Sequence, residues 1–390
     1  MKNKKKMLSF LLYVIIIFCF EPKLFVKIPI LNIIFIFGII LSFLIICFIY
    51  IKEQKKIPFS AWVVIIFRLS FAIQTIFSDG DVLMWGYMSL VLVTLALTIS
   101  FYSKYDLKSL INTIVNVLFC WVICNYITIV FFPNGVIEEL YFIGIRTRFT
   151  DVAFPLCVLA FVNDELNNRK TSLKTLIIVV VSVITILQMW IVTAIIGIII
   201  LCFVYFIFKY LSKKTNINLF VITFLVAICA DVLVVYFDFI NQFPFVSEIF
   251  GKSTTLSGRT EIWAIAKEII NQKIIFGYGM ADNGNFVYWG YNGGTLSYWQ
   301  AHNQWLQLMY DGGLFTTISF SALILLSNSG LRLIKNYKIK AYLLSLVFVY
   351  LIMMITEIYS YTPYFYLPIL LLYEGENFNS IYDMKRGRCL

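Results

Sequence analysis

The stretch Ile28–Ile51 reads IPILNIIFIFGIILSFLIICFIYI and contains no charged residue. A helix needs about 20 apolar residues to cross the hydrocarbon core of a bilayer, and this run supplies them. The rest of the chain has the same character, because 61% of its 390 residues are hydrophobic and only 13% are charged. A soluble domain needs more polar residues to cover its surface. The composition therefore predicts an integral membrane protein.

Apolar runs of this kind recur along the sequence and predict about twelve transmembrane helices. The runs cover residues 7–20, 28–51, 61–77, 82–102, 109–132, 150–163, 173–190, 191–208, 217–236, 302–326, 341–357 and 359–373. The first run follows the basic start MKNKKK, and the EPK after it offers no small-residue cleavage site. It is therefore predicted to be an uncleaved anchor. The predicted fold is an all-α polytopic membrane protein.

The basic residues predict which segments face the cytoplasm. With both termini inside, the cytoplasmic segments contain 22 of the 31 lysines and arginines. This is the asymmetry that the positive-inside rule describes. The net charge of +10 is accounted for by this topology, so no nucleic-acid partner is expected.

The topology divides the chain into four parts. Residues 1–236 are predicted to form helices one to nine, with an arginine-containing outer loop at 133–150. Residues 237–301 are predicted to form a large extracytoplasmic loop with short helices. Residues 302–373 are predicted to form helices ten to twelve, and residues 374–390 a cytoplasmic tail. Site residues tend to lie in long loops, so the large loop is the predicted catalytic part.

Arginines in the outer loops are candidate anion-binding residues. Arg146 and Arg148 stand in IGIRTRF, and Arg259 stands in SGRTEIWAIAKEIINQK. The second segment has helical spacing, with Ser257 or Gly258 as its N-cap. Arg259 would then lie beside the positive end of the helix dipole, which suits a phosphate. Contact with lipid headgroups or pairing with a carboxylate is the alternative for each arginine. The carboxylates available for pairing are Glu138, Glu139, Asp151 and Glu261.

The large loop is also rich in aromatic residues that suit a sugar ring. The aromatic residues are Tyr288, Trp289, Tyr291, Tyr298 and Trp299, in a stretch whose glycines a helix does not readily span. The C–H face of a sugar stacks on an exposed aromatic ring. The alternative is a belt of aromatic residues at the membrane interface, which is common in membrane proteins.

His302 is the only histidine in the chain, and it precedes the tenth predicted span. Imidazole titrates near neutral pH, so His302 is a candidate general base or proton relay. The alternative is a histidine that extends to the membrane interface. Gln300, Asn303 and Gln307 fall on one helical stripe, whereas His302 points roughly the other way. Either the helix begins after His302, or functional residues lie on two different faces of the helix.

Arg68 and Glu357 are ionisable residues within predicted spans. Ionisable groups in lipid are costly, and they mark a functional site or a buried pair. For Arg68, pairing with an acid and direct contact with substrate are both open. Both residues are candidates for a supporting role.

The segments SGRTEIW, FGYG and AHNQWLQLMYDGG resemble the O-antigen ligase and polysaccharide polymerase superfamily. The matching elements are Gly258-Arg259 at the start of a short helix, Gly277-Tyr278-Gly279, His302-Asn303 at the start of a span, and Gly312-Gly313. The RTRF segment is similar in place to an earlier loop arginine of the family. Either Arg146 or Arg148 fits that position.

The resemblance implies a membrane glycosyltransferase of GT-C-like architecture that works at the outer face of the bacterial inner (plasma) membrane. A polymerase of this kind moves a growing glycan from undecaprenyl diphosphate to a hydroxyl on the next lipid-linked repeat unit, which makes O-antigen or capsular polysaccharide. The outer loops contain no Asp-x-Asp motif, so transfer without a metal or cofactor, with inversion, is expected. The expected partners are the lipid-linked donor and acceptor, the bilayer, a chain-length regulator and a flippase.

The resemblance also implies roles for individual residues. His302 is the expected catalytic base, and Arg259 with Arg146 or Arg148 is expected to bind the pyrophosphate. The expected supporting or glycan-binding residues are Asn303, Glu357, Arg68, Trp299, Tyr298 and Tyr278. A ligase, which transfers finished glycan to another acceptor, is the alternative within the superfamily. A polysaccharide flippase or transporter is the alternative from another class, although such proteins tend to have repeated halves.

Overall fold

The computed structural model describes residues 2–77, 80–214, 218–237, 259–280 and 300–379. In this part of the chain the regular structure is α-helical, apart from a 3-10 turn and isolated β-bridges within 137–148. The helices are α1 (Lys2–Cys19), α2 (Lys23–Val26), α3 (Pro29–Lys52), α4 (Phe59–Leu69), α5 (Ala72–Phe77), α6 (Val82–Phe131), α7 (Phe149–Leu166), α8 (Leu173–Gln188), α9 (Val192–Lys214), α10 (Leu219–Phe237), α11 (Arg259–Gln272), α12 (Gln304–Leu326), α13 (Asn328–Leu333), α14 (Tyr337–Met353) and α15 (Pro363–Tyr373).

Helices lie wherever the sequence contains a predicted apolar run. Among the described residues, six helical stretches are long and apolar enough to cross a membrane. These are Pro29–Lys52, Phe59–Phe77, Val82–Phe131, Val192–Lys214, Leu219–Phe237 and Gln304–Leu333. The helices α8 and α15 are apolar but shorter. The all-α membrane fold is confirmed in this general form, whereas the number of twelve spans and the GT-C-like architecture stay predictions.

Helix α6 is a hairpin of two helical halves. Asp106 interrupts it with non-helical dihedral angles of φ −159° and ψ 83°. Lys5, near the start of α1, lies 3.2 Å from Asp106. Tyr87 in the first half and Trp121 in the second half both hydrogen-bond to residues 20–21, beyond the other end of α1. The two halves are therefore antiparallel, in agreement with the separate runs predicted at 82–102 and 109–132.

Helix α3 exposes an apolar stripe that requires a nonaqueous neighbour. Ile30, Phe37, Leu44 and Ile51 follow one another at seven-residue spacing, and each is more than half exposed. Seven residues are close to two helical turns, so the four side chains share one face. A contiguous apolar face of this kind is the surface that a bilayer covers.

Several interhelical connections lie together at one end of the bundle, which we call the site end. It comprises residues 20–28, 70–77, 80–81, 132–148, 273–280, 300–303 and 354–362. Backbone hydrogen bonds join residues 23–24 to residues 142–143. The backbone N–H of Met280 donates to the Thr75 hydroxyl at 2.9 Å, and the Met280 carbonyl accepts from Asp81 N at 2.8 Å. Segments far apart in sequence are thus fixed to one another around the candidate site.

A small apolar cluster attaches the loop helix α11 to the bundle. It is separate from the main core and contains Val235, Trp263, Ala266, Ile270, Ala301, Leu306 and Tyr310. These residues come from the end of α10, from α11 and from the start of α12. Burial of such side chains contributes about 1.5–3 kcal/mol each for the larger aliphatic and aromatic groups. The cluster therefore fixes where the first residue of α11 lies.

Candidate active site

Helix α11 is present where the spacing of its apolar residues predicts a helix, and Arg259 is its first residue. Its buried residues are Ile262, Trp263, Ala266 and Ile270. The indole Nε1 of Trp263 donates to the carbonyl oxygen of Ala301 at 3.1 Å, which ties α11 to the segment before α12. The predicted N-cap at residues 257–258 lies outside the described residues.

Arg259 forms an ion pair with Glu357. Arg259 Nη2 lies 3.0 Å from Glu357 Oε1, and their side chains are 19% and 10% exposed. Glu357 follows the end of α14, where its backbone N–H donates to the carbonyl of Met353. The sequence alternative in which Arg259 pairs with a carboxylate is thus observed, although the partner is Glu357 and not Glu261. A guanidinium has five N–H donors, so this pairing leaves donors for a second anion.

Arg148, and not Arg146, contacts the segment that follows Glu357. Arg148 Nη1 donates to the carbonyl oxygen of Ile358 at 2.8 Å and lies 3.7 Å from Asp151 Oδ2. Arg146 is exposed and makes no hydrogen bond or ion pair with any described residue. Of the two arginines, Arg148 is therefore the one that lies beside the residue following Glu357, and the contact of either with a pyrophosphate stays a prediction.

His302 lies immediately before α12 in a left-handed conformation, with φ +49°. Helix α12 begins at Gln304 and has Asn303 as its N-cap, so His302 is outside the helix. This settles the mismatch between His302 and the polar stripe of α12, because the imidazole does not belong to either helical face. A non-glycine residue at positive φ is uncommon and signals a constrained position.

The surroundings of His302 favour its neutral form. Its Nδ1 lies 3.3 Å from Gln300 Nε2. Burial, together with the charges of Arg259 and Arg148, lowers the pKa of His302 to about 4. Both arginines are therefore close enough to act on the imidazole. At neutral pH the free site holds an uncharged histidine beside two guanidinium groups.

Asn303 serves to position the segment rather than to face a ligand. Its side-chain Oδ1 accepts from the backbone N–H of Leu306 at 2.8 Å, which caps α12. Its Nδ2 donates to Asp231 Oδ1 at 2.6 Å and to the Ile355 carbonyl at 3.1 Å. Asn303 is fully buried. The residue thus joins α10, α12 and the turn after α14 directly beneath His302.

Replacement of Asn303 is expected to act mainly by lowering the stability of the protein, and not by changing the chemistry of transfer. An Asn303→Asp variant keeps the cap but places a second carboxylate against Asp231, whereas Asn303→Ala loses the cap. Loss of an N-cap alone costs about 0.5–2 kcal/mol. Both variants are expected to unfold at lower temperature in detergent than the unmodified protein. Unchanged thermal unfolding of both would contradict this structural role.

The glycines of the FGYG and DGG segments form one joint between the loop and α12. Residues 274–279 pair with residues 310–315 through backbone hydrogen bonds of 2.7 to 3.4 Å. Gly312 (φ −143°, ψ 15°) and Gly313 (φ 64°, ψ −158°) break the helical path and expose these backbone groups for pairing. Gly277 has φ +68°, so it also needs the freedom of glycine. The joint returns the chain from α11 to the bundle.

A Gly277→Ala variant is expected to be destabilised by about 1–3 kcal/mol, the range for a residue forced into a sparsely populated backbone conformation. A methyl group at Gly277 would also lie 2.5 Å from the Tyr310 carbonyl oxygen. Gly86→Ala is the matched control, because nothing lies within 4 Å of the methyl group there. Thermal unfolding of both variants in detergent measures the difference, and equal stability would argue against the joint.

Arg68 is buried inside the bundle and not joined to the site arginines. Its Nε donates to the Ser89 hydroxyl at 2.9 Å, and its Nη2 donates to the Trp85 carbonyl at 3.1 Å. The guanidinium lies 4.6 Å from the centre of the Phe71 ring. Among the described residues it forms no ion pair within 4.0 Å, so the predicted pairing with an acid is not observed in this part of the chain.

The predicted glycan-binding aromatic residues have different outcomes. Tyr278 stacks on Tyr310 at 5.0 Å between ring centres, and its hydroxyl donates to the Ile269 carbonyl at 3.0 Å. These contacts assign Tyr278 to the joint between loop and bundle. Tyr298 and Trp299 lie outside the described residues, so their role stays a prediction.

Two charged residues at the site end were missed in the sequence analysis. Glu21 and Lys23 border a cleft that also contains Arg148 and Asp151. The sequence offered one signal, since the topology places both in an outer connection, where a lysine runs against the positive-inside tendency.

Comparison with known families agrees with this arrangement. Residues 178–321 match the family model described as O-antigen ligase. This stretch of the chain is similar to the O-antigen ligase family. The match begins within α8, ends within α12 and includes both Arg259 and His302. No curated protein matches the chain.

Proposed function

We propose that this protein is a polysaccharide polymerase of the O-antigen ligase superfamily. It joins undecaprenyl-diphosphate-linked repeat units into O-antigen or capsular polysaccharide at the outer face of the bacterial inner membrane. The site that supports this proposal combines a histidine, two arginines and a glutamate from connections that are far apart in sequence. They are His302, Arg148, Arg259 and Glu357.

The proposed reaction is a single displacement at the anomeric carbon of the donor. An acceptor hydroxyl oxygen forms a bond to that carbon, and the bond between the carbon and the pyrophosphate oxygen breaks. His302 takes the hydroxyl proton, and undecaprenyl diphosphate leaves with the bonding electrons. Arg259 and Arg148 stabilise the negative charge that develops on the leaving group. A displacement of this kind inverts the anomeric configuration and uses no metal or cofactor.

The observation that carries the proposal is that the Arg259–Glu357 ion pair and Arg148, which donates to the next residue Ile358, lie at the site end with His302. A base must be unprotonated to accept a proton, and the low pKa of His302 ensures this. When a pyrophosphate binds Arg259 and Arg148, it reduces their repulsion of the imidazolium. The pKa of His302 then rises toward the range in which imidazole is an effective base. Donor binding would thus activate the histidine that deprotonates the acceptor.

The pH dependence of kcat/KM tests this assignment, because it reports groups in the free enzyme. His302 is deprotonated above its pKa of about 4, so kcat/KM is expected to be retained as the pH falls to about 5 and lost below about 4. The fall of kcat on the acidic side is expected at a higher pH than the fall of kcat/KM, because bound pyrophosphate raises the pKa of His302. A limb of kcat/KM near the ordinary histidine pKa of about 6.5 would contradict the proposed environment.

Reconstitution tests the function itself. Purified protein in lipid nanodiscs is supplied with the lipid-linked repeat unit in the presence of EDTA. The expected product is a ladder of glycans that differ by one repeat unit. A protein that is folded but forms no ladder from its own repeat unit would refute the polymerase assignment. A ladder that EDTA abolishes would refute metal-independent transfer.

Ligase activity is the second candidate, and the description of the matching family favours it. A ligase uses the same donor chemistry, so His302 and Arg259 would have the same roles. The two functions differ in the acceptor. Preformed lipid-linked polysaccharide is therefore offered together with either a lipid-linked repeat unit or a lipid A core acceptor. Transfer only to the second acceptor would replace the polymerase proposal with a ligase.

A further inference from the structure

A cleft at the site end borders Arg148 on the side of the first connection. The first connection contributes Glu21 and Lys23, α6 contributes Tyr87, and α7 contributes Asp151. Arg148 lines the cleft and also acts on His302, whereas Arg259 is not part of its lining. The cleft is thus a neighbour of the proposed pyrophosphate site and shares one arginine with it.

Glu21 provides the cleft with an acceptor that is only partly satisfied. Its Oε2 accepts from the Tyr87 hydroxyl at 2.6 Å. Its Oε1 is shielded from solvent and has no hydrogen-bond partner among the described residues. Burial raises the pKa of this carboxyl group. A shielded carboxylate oxygen without a donor is unfavourable, so a ligand hydroxyl that donates to Glu21 would be stabilising.

Lys23 provides a donor in the same cleft. Its backbone N–H donates to the Ile143 carbonyl at 3.2 Å, which fixes the main chain. Its ammonium group forms no ion pair or hydrogen bond with a described residue, not even with Glu21. Pro22 between them has extended dihedral angles of φ −66° and ψ 134°. Lys23 lines the cleft, and desolvation together with the charge of Arg148 lowers its pKa.

The combination of these groups favours a hydroxylated ligand over a phosphate. Glu21 and Asp151 balance the charges of Lys23 and Arg148, so an incoming phosphate would meet two carboxylates as well as two cations. A sugar hydroxyl both donates and accepts, and can therefore satisfy Glu21 and Lys23 together. A transferase must also hold a second saccharide next to its leaving group, and a site that borders Arg148 meets this need.

We propose that the cleft between Glu21, Lys23, Tyr87 and Arg148 binds a sugar ring of the acceptor glycan. This inference rests on the proposed transfer function and adds the acceptor side to it. Glu21 accepts a hydrogen bond from one ring hydroxyl, and Lys23 donates to a neighbouring oxygen. The acceptor is recognised here by its hydroxyl groups and not by its lipid phosphate.

Binding of two separate probes tests the proposal without requiring turnover. The first probe is the octyl glycoside of the repeat unit, which has no phosphate, and the second is undecaprenyl diphosphate without sugar. Glu21→Gln and Lys23→Met are each expected to weaken glycoside binding about tenfold, the scale of one hydrogen bond to a charged group. Binding of undecaprenyl diphosphate is expected to be unchanged. Lys27→Met is the matched control, because Lys27 is exposed on the same connection and does not line the cleft.

Two kinds of result would overturn the proposal. Failure of the unmodified protein to bind the glycoside, or equal binding by all variants, excludes a saccharide site in this cleft. Weakened binding of undecaprenyl diphosphate with unchanged glycoside binding would make the cleft a phosphate site. If the Glu21→Gln variant does not fold, glycoside binding by the Lys23→Met variant decides the test, because Lys23 is an exposed residue. A glycoside site in a protein that forms no ladder would leave this inference standing while the polymerase proposal fails.

Discussion

Replacing His302 with asparagine is expected to lower the rate of glycan transfer by about 10²–10⁴, the usual contribution of a positioned general base. Asparagine is the informative substitution because it tolerates the left-handed backbone that His302 adopts at φ +49°. It retains a polar side chain but cannot accept the proton at neutral pH. The measurement is the initial rate of ladder formation from purified protein and lipid-linked repeat units.

The control for this experiment is stability. His302→Asn is expected to unfold at the same temperature as the unmodified protein, whereas alanine at positive φ adds a backbone cost of about 1–2 kcal/mol. Loss of transfer with an unchanged unfolding temperature assigns the effect to chemistry. A variant that folds and transfers glycan at the full rate would remove His302 from the mechanism.

Replacing Arg259 with alanine is expected to reduce kcat by about 10²–10³, the range for loss of one donor that stabilises developing negative charge. The change also leaves Glu357 without the partner that lies 3.0 Å from it. The leaving pyrophosphate would then meet an unpaired carboxylate. Arg259→Lys retains the charge but loses the planar set of donors, so an intermediate rate is expected.

Two further variants separate catalysis from structure. In Arg259→Ala with Glu357→Gln the unpaired carboxylate is gone, so stability is expected to recover while transfer stays low. Recovery of transfer in this double variant would mean that Arg259 acts only by pairing with Glu357. Arg146→Ala is the matched arginine control, because Arg146 is exposed, and its rate is expected to stay within about twofold of the unmodified protein.

The helices were the most predictable part of the molecule. Long apolar runs can satisfy their backbone hydrogen bonds in lipid only as helices, so Ile28–Ile51 and the later runs could be assigned from composition alone. The break in α6 at Asp106 was also predictable, since a bilayer accommodates about 20 residues and α6 has 50. The exact beginning of α12 was less so, because it depends on the cap formed by Asn303.

The partners of the candidate site residues were not predictable, because they lie far apart in sequence. Arg259 and Glu357 are separated by 98 positions, and nothing local to either residue indicates the other. The choice between Arg146 and Arg148 likewise depends on where Ile358 lies. Glu21 and Lys23 gave only a weak signal, a pair of charges in a short outer connection. Local patterns therefore identified the chemical groups, and tertiary packing selected which of them meet.

The hydrogen bond between Met280 and Thr75 has a consequence for how the protein is made. The two residues are separated by 205 positions. At about 5–20 residues per second, a ribosome needs roughly 10–40 s to synthesise the intervening chain. During that interval α4 and α5 are already in the membrane without the segment that completes them. Nascent chains that stop before residue 280 would leave the Met280 partners Thr75 and Asp81 without these hydrogen bonds at this end of the bundle. Membrane chaperones and proteases would meet the chain in this incomplete form first.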